Sequence, residues 1–409
     1  GLTIQLATDG TDWRTCFETR PGVGRETCVY LPAARSRYVA LDLQPGQDGD
    51  GVGIQSVEVQ PDDFSRSINA FFSAIAARVR PGLYPKYLLG RQTYWTPVGT
   101  GEDVTQALFN EEGMVEVDQG SFSIEPFLFA DGRLIAWADA GLSQSLEQGY
   151  LPIPSSDWRA GDLRLRITAF AVGKSGSSSL VIRYRVANDS EQGRAVTLFA
   201  AIRPFQVTPT WQHWEGFGGV SRITDLAYAD GILSVNAVKR IIPLTAPDGF
   251  GAATFAQGAI SVFLTAGELP ALEQVCDPFG YASGALRFDL ELPARSEQEV
   301  FLAVPFGDWT PDRATDWPTD LDGGEPFARA LSDWKARLDL FDIQLPSQAA
   351  GVVETLKTAA AHILISRDGP ALHPGPRRYS RAWIRDGALM GAALARVADA
   401  NNGPVFIPY

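Results

Sequence analysis

Residues 377–395 read RRYSRAWIRDGALMGAALA and gather four arginines, a tyrosine, a tryptophan and an aspartate just before and at the start of an alanine-rich helix. Side chains on such a first turn face away from a packed core, and these types suit a polar ligand. Trp383 offers a flat apolar face to a sugar ring. Asp386 accepts hydrogen bonds from vicinal hydroxyls, and Arg385 holds it ionised and oriented. Tyr379 and Arg381 extend the same surface. A plainer reading stands beside this one: Asp386 is an acidic residue favoured at a helix N-terminus by the macrodipole, and Arg385 is its solvated neighbour.

A second cluster is TPTWQHWEGFGG at 208–219, with Trp211, His213, Trp214 and Phe217 in a loop bounded by proline and glycine. Loops normally avoid so much aromatic surface. Trp211 and Trp214 are therefore candidate sugar platforms, the alternative being a small core beneath the loop. Tyr94 and Trp95 form a weaker version of the same pattern. Three cysteines and three histidines, with no Cys-x-x-Cys or His-x-x-x-His spacing, exclude a zinc cage of the usual kinds, and no cofactor is expected. Cys16 and Cys28 flank a glycine-containing turn, so they are either a disulfide pair or two reduced thiols. Gly99-Thr100-Gly101 and GKSGSSS at 173–179 lack the spacing of a phosphate loop.

The elements that position these groups come from a chain of 409 residues, enough for two or three domains at about 150 residues each. Acidic residues outnumber basic ones by 48 to 35, a formal charge of -13 that argues against nucleic acid or anionic lipid as partner. A neutral oligosaccharide or polysaccharide fits better. No run of 18 apolar residues occurs, so no membrane insertion is expected. No leader precedes Gly1 and no initiator Met is present, which suggests a processed chain or a piece of a longer one. Localisation is expected to be periplasmic or secreted, with cytoplasmic as the alternative.

Periodicity divides the chain. Residues 1–62 are strand-like, with apolar runs at 2–6, 28–31 and 38–43 and a last one at 51–59. Residues 63–83 hold a connector helix at 65–79, with Ser65 as its N-cap. From 84 to 308 apolar runs alternate with turns: 122–129, 134–137, 163–170, 180–186, 196–202, 260–264 and 286–292 read as strands. Asp131-Gly132, Asp230-Gly231 and Asp248-Gly249 read as hairpin turns. This predicts a large antiparallel sandwich. Residues 309–376 carry linker helices, one with Phe327, Leu331, Trp334 and Leu338 buried, another with Val352, Leu356, Ala359 and Ile363 buried. Residues 377–409 begin a further helical unit.

Two resemblances attach to these words. IQLATDGTDW, SRYVALDL and GVGIQSVEV stand in the order expected for the second half of a discoidin-type jelly roll, whose opening strands would then lie upstream. YSRAWIRDGALM resembles the motif that opens the first barrel helix in relatives of the glucoamylases and amylo-α-1,6-glucosidases. Those six-hairpin glycosidases of bacteria, and the related sugar phosphorylases, place a β-supersandwich first, then linker helices, then an (α/α)6 barrel.

The resemblance implies that Arg385 and Asp386 grip the sugar ring just before the scissile bond and that Trp383 lines the pocket. It also implies an exo-acting, inverting glycoside hydrolase on a glucan-like substrate, with acid and base on later barrel helices. Glu354, on a linker helix, and Asp368, in the turn Asp368-Gly369-Pro370, are not assigned those roles. Two alternatives remain. One is a glycoside phosphorylase, with Arg377, Arg378 and Arg381 at its anion pocket; the other is a non-catalytic carbohydrate-binding or scaffold protein.

Overall fold

The computed structural model describes residues 1–19, 26–31, 34–44, 53–101, 103–212, 218–307, 324–339 and 343–397. At the N-terminus β1 (Leu2–Ala7), β2 (Arg14–Thr19) and β3 (Tyr38–Leu43) form an antiparallel sheet in the order β2-β1-β3. Of these strands only Ile4 and Ala7 are buried, so the sheet has almost no core of its own. Residues 28–31 do not form the expected strand. Cys28 and Tyr30 pack instead on an aromatic cluster, with the Tyr30 ring 5.3 Å from that of Phe71. Residues 53–59 have no strand partner among the described residues and are exposed throughout, Val57 and Val59 included; alternation supplies a face, whereas a strand also needs a backbone to pair with. All three cysteines are free thiols.

The connector helix α1 (Ile68–Ala76) is capped by Ser67, whose hydroxyl accepts from the Ala70 N–H at 3.1 Å. Ser65, the expected cap, ends a single 3-10 turn at Asp62–Phe64. Phe71 and Phe72 of α1 are fully buried against Tyr84, Tyr87 and Phe205 at one end of the sandwich.

The sandwich opens with β4 (Trp95–Val98), β5 (Ala107–Asn110), β6 (Val115–Glu116), β7 (Ser123–Ala130), β8 (Arg133–Ile135) and β9 (Gly141–Glu147). Four long strands follow: β10 (Leu151–Ala160), β11 (Leu163–Val172), β12 (Ser179–Asn188) and β13 (Arg194–Arg203). Then come β14 (Asp225–Ala229), β15 (Ile232–Val235), β16 (Lys239–Pro243), β17 (Gly249–Ala253), α2 (Ile260–Thr265), β18 (Gln274–Cys276), β19 (Ser283–Leu292) and β20 (Ser296–Pro305). One sheet has nine strands in the order β18-β14-β15-β16-β20-β12-β11-β10-β9. The other has eight, β17-β19-β13-β7-β6-β5-β4 with β8 beside β7. Pairing between these strands is antiparallel, as the turns require. Asp131-Gly132 and Asp230-Gly231 are left-handed at both residues, the geometry of a tight hairpin. Asp248-Gly249 is not left-handed and leads straight into β17.

Both inner faces contribute to one core, which holds Trp158, Ile167, Tyr184 and Leu302 of the first sheet with Phe109, Ile124, Leu198 and Phe288 of the second. β11 shows how the sequence encodes its surroundings. LRLRI alternates between buried and half-exposed or exposed, and TAFAV is buried at every position. The change marks where helices cover the outer face. α3 (Gly324–Leu338) and α4 (Ala350–Ile365) lie there, with Trp334, Leu338, Ala361 and Ile365 packed on Ile153, Phe170 and Val181. α5 (Ile384–Val397) adds Leu394 to that layer.

Two expectations fail here. Residues 260–264 are helical, because Ile260 and Leu264, one turn apart, pack on Phe127 and Phe199 of the outer face of the eight-stranded sheet. In α4 the buried side chains are Ala360, Ala361 and Ile365, while Val352 and Leu356 are exposed. The packed face is thus rotated by roughly 150° from the expected one. Two alanines at the contact allow the close approach.

Candidate functional site

The segment between α4 and α5 is fixed to inner strands of the eight-stranded sheet. Gln106 Nε2 donates to the Ile365 carbonyl at 3.1 Å, which holds the end of α4. A turn follows in which Asp368 and Ala371 exchange two backbone hydrogen bonds of 2.9 Å, with Gly369 left-handed. Leu372 is then buried under the helical layer. Asp368 is committed to this turn and Glu354 is exposed on α4.

Arg377 comes next and is buried. Its Nε donates to Glu116 Oε1 at 2.9 Å, its Nη2 to the Gln106 carbonyl at 3.0 Å, and its Nη1 to the Pro376 carbonyl at 3.0 Å. The pair is sealed, with 4% of the arginine and 0% of the glutamate side chain exposed. Arg377 is therefore neutralised inside the protein and does not contribute to an anion pocket. The other carboxylate oxygen, Glu116 Oε2, accepts from the Val207 N–H at 2.8 Å. Val207 is the root of the aromatic loop, so the two sequence-predicted clusters start from one carboxylate.

Beyond Arg377 the chain turns outward. The Arg381 guanidinium lies 4.2 Å from the centre of the Trp383 ring, and the Tyr379 ring approaches Trp383 edge-on, with centroids 6.5 Å apart at 62°. Both aromatic residues are partly exposed. One indole face thus carries a stacked cation, an arrangement worth about 0.5–1 kcal/mol at an exposed site. The Trp383 carbonyl accepts from the Gly387 N–H at 2.8 Å, closing the first turn of α5 with Asp386 on it. Arg385 Nη2 lies 3.7 Å from Asp386 Oδ2, with 86% of the arginine side chain exposed. At that separation there is no hydrogen bond. Arg385 does not orient Asp386 as expected, and a pair this exposed contributes about 0–1 kcal/mol.

Trp211 lies in one 3-10 turn, Thr210–Gln212, and is 52% exposed. His213, Trp214 and Phe217 lie outside the described residues. The far end of the loop is clamped: the Tyr87 hydroxyl donates to the Gly219 carbonyl at 2.8 Å, and Asn69 Oδ1 accepts from the Val220 N–H at 2.9 Å. Gly219 is left-handed, and a Cβ there would lie 2.0 Å from Asn69 Oδ1. Of the weaker pair, Tyr94 is exposed, whereas Trp95 packs into the end cluster.

The structure thus brings Tyr379, Arg381 and Trp383 together, places Arg385 and Asp386 on the adjoining turn, and leaves Trp211 on a separate arm with the same root. Sequence reasoning missed Glu116 and Gln106. Glu116 did leave a signal, a carboxylate inside the apolar run Val115-Glu116-Val117. A second buried acid, Glu112, lines a cavity of about 10 Å³ with Glu125, Trp137 and Trp158. Burial pushes its carboxyl up to about 8. That space is on the order of one water probe, so no sugar enters it. No cluster of three metal-ligating side chains occurs among the described residues, and none of their helices is long and apolar enough to cross a membrane.

Two antiparallel sheets around one core, a helical layer on the outer face of the larger, and an arginine-rich segment entering an alanine-rich helix define a supersandwich with appended helices. No family model and no curated protein matches the chain. Among solved structures it is similar to a bacterial glucoamylase complexed with acarbose, with a TM-score of 0.51 and 11% identity over 75% of this chain and 48% of that one. A protein described as a kojibiose phosphorylase, from the human microbiome, gives 0.36 and 7% over 67% and 35%. A family 92 α-mannosidase from Bacteroides thetaiotaomicron, in complex with mannoimidazole, gives 0.23 and 10% over 52% and 24%. The chain spans about half the length of the glucoamylase it matches. At such identity the likeness is one of fold, and what it bears out is the mainly-β, antiparallel architecture.

Proposed function

We propose that this chain is the β-supersandwich portion of a carbohydrate-active enzyme, an exo-acting inverting glycoside hydrolase of glucan-like oligo- or polysaccharides. In this reading a discoidin-like sugar-binding module lies in front and the first helix of an (α/α)6 barrel behind, with boundaries near 62, 83, 308 and 376. One observation carries it. At the end of a fold shared with a glucoamylase, a partly exposed indole, two arginines and a carboxylate stand at one helix start. These groups suit a neutral, hydroxyl-rich ring, which the net charge of -13 does not repel.

The chemistry would be inverting: a carboxylic acid protonates the glycosidic oxygen while a carboxylate about 6.5–9.5 Å away activates water on the opposite face. Asp386 binds sugar in this scheme and performs neither step. The phosphorylase alternative loses one of its three arginines, because Arg377 is already paired with Glu116.

The test is incubation of the chain, in its longest natural form, with maltotriose in the presence and absence of inorganic phosphate. The expected result is binding, release of sugar at a rate independent of phosphate, and inverted anomeric configuration by proton NMR. Phosphate-dependent release identifies a phosphorylase, and binding without release identifies a binding module. Absence of binding to this and longer glucans overturns the reading.

A further inference from the structure

We propose that Glu116 is a positioning residue whose carboxylate couples the Trp211 arm, residues 207–212, to the 377–386 segment, so that Trp211 and Trp383 are held in one fixed relation; this rests on the reading of the site given above. Each oxygen serves a different arm, Oε1 taking Arg377 and Oε2 taking the Val207 N–H. The carboxylate has no freedom to serve them separately. It is fully buried on β6, a two-residue strand paired on both sides by β5 and β7.

The partner is equally constrained, since the remaining Arg377 nitrogens are bonded to the Gln106 and Pro376 carbonyls. Gln106 in turn grips the end of α4 through its side chain. The loop is held at its other end by Asn69 and Tyr87. Glu116 therefore bonds to both arms. A buried ion pair is a weak device for stability when compared with well-packed apolar groups, but it fixes geometry wherever both oxygens have assigned donors.

The experiment uses the full chain labelled with 5-fluorotryptophan, with the Trp211 and Trp383 fluorine signals assigned from Trp211→Phe and Trp383→Phe. Glu116→Gln is expected to displace both signals while the buried Trp158 and Trp334 stay in place, and to weaken maltotriose binding by about tenfold. Arg377→Gln is the sharper variant, and it stands alone if Glu116→Gln does not fold. It touches only one arm directly, yet coupling requires the Trp211 signal to move. A Trp211 signal unchanged in Arg377→Gln, or a shift of all four tryptophans together, overturns the proposal. If wild-type chain binds no maltotriose, the sugar reading fails, and the fluorine spectra still decide the coupling.

Discussion

Arg377 Nε and Glu116 Oε1 lie 2.9 Å apart although 261 residues separate them in sequence. This contact joins the start of the C-terminal aromatic segment to an inner strand of the eight-stranded sheet. It also ties the segment's position directly to the sandwich, beside its packing on the helical layer.

Glu116→Ala is expected to cost about 3–5 kcal/mol, because it leaves a guanidinium buried without its counter-charge. The simultaneous change Glu116→Leu with Arg377→Met is expected to recover part of that loss, since it removes both desolvated charges at similar volume but leaves the buried Val207 N–H without its acceptor, a cost of about 1–3 kcal/mol. Urea denaturation of the two variants against wild type measures the difference. Equal destabilisation in both would show that the pair matters only through packing.

Trp383→Ala is expected to leave stability within about 0.5 kcal/mol, because the ring is partly exposed. Its effect belongs to binding, where truncating an aromatic anchor typically costs about 2 kcal/mol or more, near thirtyfold in affinity. Arg381→Ala uncovers the indole face on which the guanidinium now rests, so collisional quenching of Trp383 fluorescence should rise. Calorimetric titration with maltotriose and acrylamide quenching measure the two effects separately.

How far these features can be read from sequence follows from what each depends on. Strands β7, β11 to β13 and β19 follow from local apolar runs and turn chemistry, and the sequence locates them, whereas β10 is not read as a strand. Trp383 and Asp386 are legible because an arginine-rich stretch ahead of an alanine-rich helix has to face outward. Glu116 shows only as a carboxylate inside an apolar run, and its role is hidden because its partner lies 261 residues away. The helix at Ile260–Thr265 is hidden for a related reason: ISVFLT is apolar and β-branched, and only the outer face of the eight-stranded sheet selects helical spacing for Ile260 and Leu264. The misassigned face of α4 reflects its alanines, whose small side chains carry little hydrophobic signal yet make the contact.

Glu112 makes stability fall as pH rises. Its carboxyl ordinarily titrates at 4.5 and is pushed up to about 8 in the folded protein, chiefly by burial. Below 4.5 both states hold the proton and there is no penalty. Between 4.5 and about 8 the folded state binds one proton more than the unfolded state, so stability declines by up to about 1.4 kcal/mol per pH unit and levels off above that range. Glu112→Gln removes the titrating group, and its amide oxygen can still accept from the Lys86 N–H. Melting temperatures of wild type and variant between pH 5 and 8 should diverge, the variant gaining as pH rises. Parallel curves would assign the acid a different protonation state.

Gly219→Ala is expected to destabilise the loop root by more than about 1 kcal/mol. The residue is left-handed at φ +81°, and a methyl would collide with Asn69 Oδ1 at 2.0 Å, the atom that accepts from Val220. Faster amide exchange at Val220 and Gly219, with little change in the strand hydrogen bonds of β13, is the measurable consequence.

Asp386 separates the two readings of the C-terminal cluster. If it acts only as a charge on the first turn of α5, then Asp386→Asn costs about 0.3–1 kcal/mol of stability through the lost dipole interaction, an effect that added salt screens. Sugar binding would then be unchanged. If Asp386 accepts from two vicinal hydroxyls, Asp386→Asn replaces one acceptor oxygen by a donor and removes the charge that strengthens both bonds. Affinity for maltotriose should then fall by roughly tenfold or more, and salt should not restore it. Arg385 is the control, because at 3.7 Å and 86% exposure its interaction with Asp386 is too weak to orient the carboxylate. Arg385→Ala is therefore expected to leave stability unaltered in either case. A loss of affinity in Arg385→Ala would mean that the guanidinium itself touches the sugar. The salt series on Asp386→Asn, read by denaturation and by calorimetric titration on the same samples, decides between a helix charge and a ligand contact.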